Sequence, residues 1–168
     1  MSKANQTIIE KDISEDLIKE IAKMESEVFH ESLAWEEQEM HKALHHPSAI
    51  NILSYDEEER IAGYLMTIDL AEEIDELREA DPDIEQIPGA LYLNNVVVRP
   101  DMQGKGYFGK LLKKFLETFP DRTVVLHANT KNNSSVGFQK YGAKFIRKID
   151  NWYGTGEPFD YLMFEPKK

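Results

Sequence analysis

Gly104, Gly106 and Gly109 fall between an apolar run ending at Val96-Val97-Val98 and a stripe of Phe108, Leu111, Leu112, Phe115, Leu116 and Phe119. A strand, a glycine turn and a helix in that order put unpaired backbone N–H groups at a helix N-terminus, where the helix dipole favours negative charge. The chemistry this suits is the docking of a phosphate-bearing cofactor. The three glycines satisfy G-x-G-x-x-G, but a dinucleotide fold fits poorly. Arg99-Pro100-Asp101-Met102-Gln103 separate the motif from its strand, the next strand ends in His127-Ala128-Asn129 rather than an acid, and the motif lies too late for a doubly wound sheet. A Walker A loop is excluded, because no Gly-Lys-Ser/Thr closes the turn. His41 and His45 lie four apart, as a metal pair would. No further Glu or Cys constellation completes them, so they read as surface or structural histidines.

The elements that must position the turn follow from periodicity. Gln6–Lys11 is a short strand. Ser14 stands as N-cap of a helix whose apolar face is Leu17, Ile21, Met24 and Val28, and His30-Glu31-Ser32 reads as a break. A second helix runs from about Trp35 to Leu44. Ala49–Tyr55 and Ile61–Leu70 form a hairpin over Asp56–Arg60, with Gly63 marking a bulge or a close backbone approach. Residues 71–89 hold eight acids (Glu72, Glu73, Asp75, Glu76, Glu79, Asp81, Asp83, Glu85) against Arg78. They form a solvated loop or short helix, or else a wall that attracts a cationic substrate. Ala90–Val98 reads as a strand buried on both faces, interrupted at Asn94-Asn95. The stripe from Phe108 to Phe119 is a helix. Arg122–Ala128 is a strand, a short helix ends at Gly142, and Ala143–Ile149 pairs with Tyr161–Glu165 across a long connection. The order β-α-α-β-β-β-α-β-α-β-β predicts an α/β chain with a mixed, mostly antiparallel sheet flanked by helices, as one domain over residues 1–168.

Composition narrows the class. The 168 residues are 41% hydrophobic and 30% charged, with a net charge of −11. That balance suits a folded chain, and the negative sign disfavours nucleic acid. No apolar run approaches the roughly 20 residues a bilayer needs, so no membrane partner is expected. There is no cysteine, hence no thiol nucleophile and no Cys-based zinc site. The expected location is the cytoplasm, as monomer or homodimer.

The segment Val96-Val97-Val98-Arg99-Pro100-Asp101-Met102-Gln103-Gly104-Lys105-Gly106 resembles the acetyl-CoA signature of the GNAT acetyltransferase superfamily, and the element order resembles that family's too. The resemblance implies acetyl-CoA as co-substrate and no metal. Backbone groups of Gln103, Gly104, Lys105, Gly106, Tyr107, Phe108 and Gly109 would hold the pyrophosphate, with charge from Lys105 and Lys110. Val96, Val97 and Val98 would pair with the pantetheine arm as a substitute strand, and Asn94-Asn95 would form the bulge. Phe108 stands where the family usually has Gly or Ala. On the later helix, the cap asparagine is kept as Asn132 or Asn133, and Phe138 replaces the tyrosine usually assigned as acid.

Acetyl transfer to an amine needs a base, because an alkyl ammonium has pKa about 10. By resemblance to acetyltransferases of protein N-termini, His127 occupies the base position, alternatively read as a satisfied strand histidine. Glu157, Glu72 and Glu73 are further base candidates, and Tyr141 or Tyr153 could protonate the thiolate. Asn151–Asp160 partly resembles the acceptor-side connection of those enzymes. Two readings result: an N-acetyltransferase acting on a small cationic amine or peptide amine by direct attack in a ternary complex, or a GNAT-fold acyl-CoA-binding or regulatory module with little turnover.

Overall fold

Ser14 Oγ accepts the Leu17 backbone N–H at 3.2 Å and starts the first helix. This computed structural model describes residues 2–28, 35–131 and 134–167. Its elements are β1 (Thr7–Glu10), α1 (Glu15–Val28), α2 (Glu37–Leu44), β2 (Ile50–Tyr55), β3 (Ile61–Asp69), α3 (Leu70–Ala80), β4 (Leu91–Val98), α4 (Tyr107–Thr118), β5 (Val124–Asn129), α5 (Ser134–Lys140), β6 (Lys144–Ile149) and β7 (Phe159–Phe164). Short 3₁₀ turns cover Pro100–Met102 and Trp152–Gly154. The strands form one sheet in the order β1-β2-β3-β4-β5-β7-β6. β4 pairs with β5 in parallel, and β1–β2, β2–β3, β5–β7 and β6–β7 pair antiparallel. The mixed α/β sheet flanked by helices is therefore as expected. The expected element order omitted one helix, α3. Leu70, Ile74 and Leu77 recur at helical spacing and are buried, while Glu72, Asp75 and Glu76 between them are exposed and Glu73 is half-buried. The break expected at His30-Glu31-Ser32 lies outside the described residues.

The chain packs as two compact units. One comprises the residues up to Thr67 with Asn94–Phe119, and the other Ile68–Leu93 with the residues from Pro120 on. The first unit has its core between α1, α2 and the strands. Ile18, Ile21, Met24, Met40, Leu53, Tyr64, Met66 and Val97 belong to one buried cluster. Gly63 serves a close approach: a Cβ there would lie 2.7 Å from the Val97 carbonyl oxygen and 3.1 Å from Leu111 Cδ1. A bulge is present as well, since Ser54 pairs with Gly63 and Tyr55 with Ile61, leaving Ala62 unpaired on β2's side.

In the second unit β5 sits between the first residues of β4 and the β7–β6 hairpin. Its ladder with β4 comprises Leu91↔Val124 and Tyr92↔Val125. Val124, Val125, Leu126 and Leu162 are buried there, and Trp152 stacks on Phe159 with ring centroids 5.0 Å apart. Gly142, at φ +108, ends α5 as expected, with its N–H bonded to the Gln139 carbonyl. None of the described helices is long and apolar enough to cross a membrane.

Candidate active site

In the first unit, β4 runs into the glycine turn through Arg99. The Arg99 backbone N–H donates to the Ala62 carbonyl at 2.8 Å. Its guanidinium donates to Asp56 Oδ2 at 2.9 Å, to the Ile61 carbonyl at 2.7 Å and to Asp101 Oδ1 at 2.6 Å. Burial alone would push the Asp56 carboxyl up, but hydrogen bonds from Arg60, Arg99 and Glu58 hold it below the usual carboxylate range. The hairpin turn thus clamps the strand end from which the glycine turn departs. Sequence reading passed over this pair, because 43 residues separate its members.

Beyond the clamp, Gly104 has φ +80 and Gly106, the N-cap of α4, has φ +91 and ψ +3. No side chain caps α4, and a Cβ on either glycine would meet nothing within 4 Å. The N-terminus of α4, the positive end of its dipole, therefore has no side-chain cap and open space beside Gly104 and Gly106. A turn of this kind favours an anion. Lys105 is exposed beside it, and Lys110 Nζ lies 4.8 Å from the Tyr107 ring centroid. Tyr107 and Gly109 are buried and Phe108 is half-buried, so these three present backbone rather than side chain to the turn. Val97 is buried while Val96 and Val98 are half-buried, and the Gln103 side-chain amide donates to the Val98 carbonyl at 3.3 Å.

The same unit holds a carboxyl that sequence reading missed. Glu25, on α1, is 1% exposed. Asn95 Nδ2, on β4, donates to Glu25 Oε1 at 3.0 Å, and Oε2 has no hydrogen-bond partner among the described residues. Burial pushes the Glu25 carboxyl up to about 8, and the Asn95 amide and the Trp35 backbone N–H offset this only in part. Among the described residues the buried unpartnered side-chain atoms are Glu25 Oε2, Asn51 Oδ1, Tyr64 OH and Asn94 Oδ1, all in this unit. A recess of about 700 Å³ in this unit is lined by Glu15, Glu36, Glu37, Gln38 and His41. His41 Nε2 lies 3.0 Å from Glu15 Oε1, and His45 bonds the His41 and Ile13 carbonyls. Among the described residues no group of three or more His, Asp or Glu is placed to hold a metal.

In the second unit, the His127 side chain has 0% exposure. The Tyr92 hydroxyl lies 2.7 Å from its Nδ1 and Asp81 Oδ2 lies 2.8 Å from its Nε2, so both ring nitrogens are engaged. Arg147 donates to the same Asp81 oxygen. The rings of Trp152 and Tyr161 pack at centroid distances of 4.4 and 4.9 Å. Burial lowers the pKa of His127, Asp81 opposes this and Arg147 adds to it. A folded-state pKa below the unfolded value means the unfolded chain takes up the proton first. Stability from this site is therefore present above about pH 6.5, and is lost as pH falls through the folded value. Chemical denaturation of wild type and of a His127→Gln variant between pH 7.5 and 5 isolates this contribution as the difference between the two profiles. The variant should lose stability less steeply, and an equal slope in both would remove His127 as its source.

Residues 14–143 match the model of the acetyltransferase (GNAT) family. The chain belongs to the GNAT family. No curated protein matches the sequence. Arabidopsis thaliana NAA60 in complex with acetyl-CoA shares the GNAT fold at TM-score 0.69, with 13% identity over 95% of this chain and 98% of that one. The Escherichia coli ribosomal-protein-S18-alanine N-acetyltransferase gives TM-score 0.69, 14% identity and coverage of 97% and 96%. A spermidine N-acetyltransferase SpeG chimera from Vibrio cholerae and hSSAT gives 0.69, 16% and 95% of each chain. These likenesses establish the fold.

The remaining expected residues of this GNAT chain lie in the second unit. Glu157 is half-buried, with Oε2 accepting from Asn129 Nδ2 at 2.6 Å. Phe138 is buried in α5 at 5% exposure, whereas Tyr141, just past that helix, is 37% exposed. Tyr153 adopts φ +49 and its hydroxyl donates to the Glu76 carbonyl at 3.0 Å, tying the 3₁₀ turn to α3. On α3, burial together with Glu76 and Glu72 pushes the Glu73 carboxyl up to about 7. Asn132, the expected cap, lies outside the described residues.

Proposed function

We propose that this GNAT chain is an acetyl-CoA-dependent N-acetyltransferase that acetylates a primary amine by direct attack in a ternary complex. The observation that carries this reading is the open glycine turn at the uncapped N-terminus of α4. Backbone N–H groups from Gln103 to Gly109 would hold the pyrophosphate, aided by the charges of Lys105 and Lys110, and the half-buried edge at Val96 and Val98 would hold the pantetheine arm. When bound, acetyl-CoA supplies a thioester carbonyl open to nucleophilic attack. The protein's part is to fix that carbonyl, take a proton from the amine and exclude water.

The acceptor class that fits best is cationic: a small polyamine or the amino end of a peptide. The acidic α3, with Glu72, Glu73 and Glu76, and the acidic recess beside α1 and α2 both favour positive charge. The engaged ring of His127 supports a structural place in the second unit better than direct proton abstraction. Glu157 remains a candidate for orienting an acceptor through Asn129, and the exposed Tyr141 for donating a proton to the thiolate. Burial of Phe138, where the family usually carries a tyrosine, favours a second reading as an acyl-CoA-binding module with little turnover.

Mass-spectrometric assay of spermidine and of peptides starting with Ala or Met, each with acetyl-CoA, separates the two readings. Acetylated product supports the enzyme. Thermal stabilisation by acetyl-CoA with no product from any acceptor supports the binding module, and absence of both removes each.

A further inference from the structure

Buried polar atoms without partners are rare in folded proteins, and each calls for an explanation such as a missing water, ion or substrate. Here the four described cases share one unit, and one of them, Glu25 Oε2, belongs to the place where α1 meets β4 at Asn95. That place is one residue before Val96, on the strand that continues through Val98 into the glycine turn. α1 also packs against the 3₁₀ turn Pro100–Met102 that leads to Gly104. A carboxyl with one oxygen anchored and the other unpartnered therefore sits on the framework that carries the proposed cofactor cradle.

We propose that Glu25, oriented by Asn95, accepts the proton of the acceptor amine, with Oε2 as the receiving atom. The proposal rests on the acetyltransferase reading above. The ammonium gives a proton to Glu25 Oε2, leaving a neutral amine and a carboxylic acid. The nitrogen lone pair then forms the C–N bond to the acetyl carbon as the C–S bond breaks. The sulfur keeps the bonding pair and takes the second amine proton, and Glu25 later returns its proton to solvent. The anchoring matters because a general base must hold its lone pair toward the substrate. Asn95 occupies Oε1, while the buried Oε2 has no hydrogen-bond partner among the described residues.

The charged side chains on elements packed against α1 are Glu37, Glu39, His41 and Lys42 of α2 and Asp101 of the 3₁₀ turn. Those on α1 itself are Glu15, Asp16, Lys19, Glu20, Lys23 and Glu27. The upward shift at Glu25 comes from burial, opposed by Asn95 and Trp35, rather than from any of these. The base form therefore appears as pH rises through about 8. The unfolded chain loses this proton at ordinary carboxylate pH and the folded one near 8, so stability should fall as pH rises through that window.

The test is Glu25→Gln, close in shape and without a titratable group. Acetyl-CoA affinity by calorimetry should stay within about threefold of wild type, because the glycine turn is untouched. Turnover of the best acceptor among spermidine and the Ala- and Met-starting peptides should fall by about 100-fold or more. The rise in kcat/KM near pH 8 should vanish, leaving only the amine's own ionisation near about 10. The share of the pH dependence of stability between pH 5 and 8 that Glu25 contributes should be lost with it, read as the difference between wild type and variant. Wild-type turnover and an unchanged pH limb in Glu25→Gln would overturn the proposal. If that variant does not fold, carboxyl-carbon NMR of Glu25 in the wild-type protein decides. Its resonance should titrate near pH 8 and move when spermidine is added to the acetyl-CoA complex, and a resonance that does neither overturns the assignment. A wild-type protein that binds no acetyl-CoA, or acetylates none of the probes, overturns the acetyltransferase reading itself.

Discussion

Gly106→Glu is expected to abolish acetyl-CoA binding while the chain still folds. At φ +91 this N-cap is left-handed, a conformation that costs an L-residue about 1–2 kcal/mol. The backbone strain alone should lower the melting temperature by a few degrees for a chain of this size. The larger effect is on the ligand. The space a Cβ would enter is empty, and it lies at the N-terminal end of α4, which no side chain caps. A glutamate there brings a negative charge beside the pyrophosphate. A like charge at about 4 Å costs roughly 1 kcal/mol in water and about 4 near a protein surface. Added to the lost fit, this predicts an affinity loss of 100-fold or more. Gly106→Ala separates the contributions, since it carries the strain without the charge and should lose less. Calorimetric titration with acetyl-CoA measures both. Wild-type affinity in Gly106→Glu would show that the cofactor docks elsewhere.

Asp81→Ala should be the most destabilising single change among the second unit's charged residues. Asp81 is 2% exposed and its Oδ2 serves both His127 and Arg147. Its backbone also ends α3, with its N–H on the Leu77 carbonyl and its carbonyl receiving Ile84. Removing the carboxyl strands a fully buried imidazole nitrogen and a guanidinium that is three-quarters covered. Breaking a buried pair of this kind typically costs about 3–5 kcal/mol. For a chain of this length that corresponds to a fall in melting temperature of roughly 10 °C. Asp81→Asn keeps an acceptor for His127 and loses the charge facing Arg147, so it should fall between wild type and alanine. Differential scanning calorimetry at pH 7.5 reads these shifts. A melting temperature for Asp81→Ala within about 2 °C of wild type would mean the network contributes little.

These two sites differ in how far sequence reveals them. The glycine turn is local. Gly104 and Gly106 are needed for positive φ, the apolar stripe from Leu111 to Phe115 fixes the helix that follows, and both signals lie within a dozen residues. The helices α1 and α4, the β2–β3 hairpin and the β6–β7 hairpin were legible for the same reason, because periodicity and turn residues are written in short windows. α3 was half legible: Ile74 and Leu77 marked its buried face, but its eight neighbouring acids equally suited a solvated loop. Only burial of Leu70 beside them decided for a helix beginning directly after β3.

The site's polar partners were hidden. His127 read as a candidate base because it occupies the base position of the acetyltransferases of protein N-termini that the sequence resembles. Its burial, and the engagement of Nδ1 by Tyr92 and Nε2 by Asp81, depend on residues 35 and 46 positions away. Glu25 carried no signal in the sequence, since its partner Asn95 is 70 positions away. The sequence by itself determined the fold family's elements and the glycine turn before α4, since both arise from backbone geometry and local hydrophobic pattern. Only the tertiary structure decided which titratable side chains are buried, which are satisfied and which keep an open oxygen. Desolvation and hydrogen bonding set those properties, and both depend on contacts between segments that the chain order keeps apart.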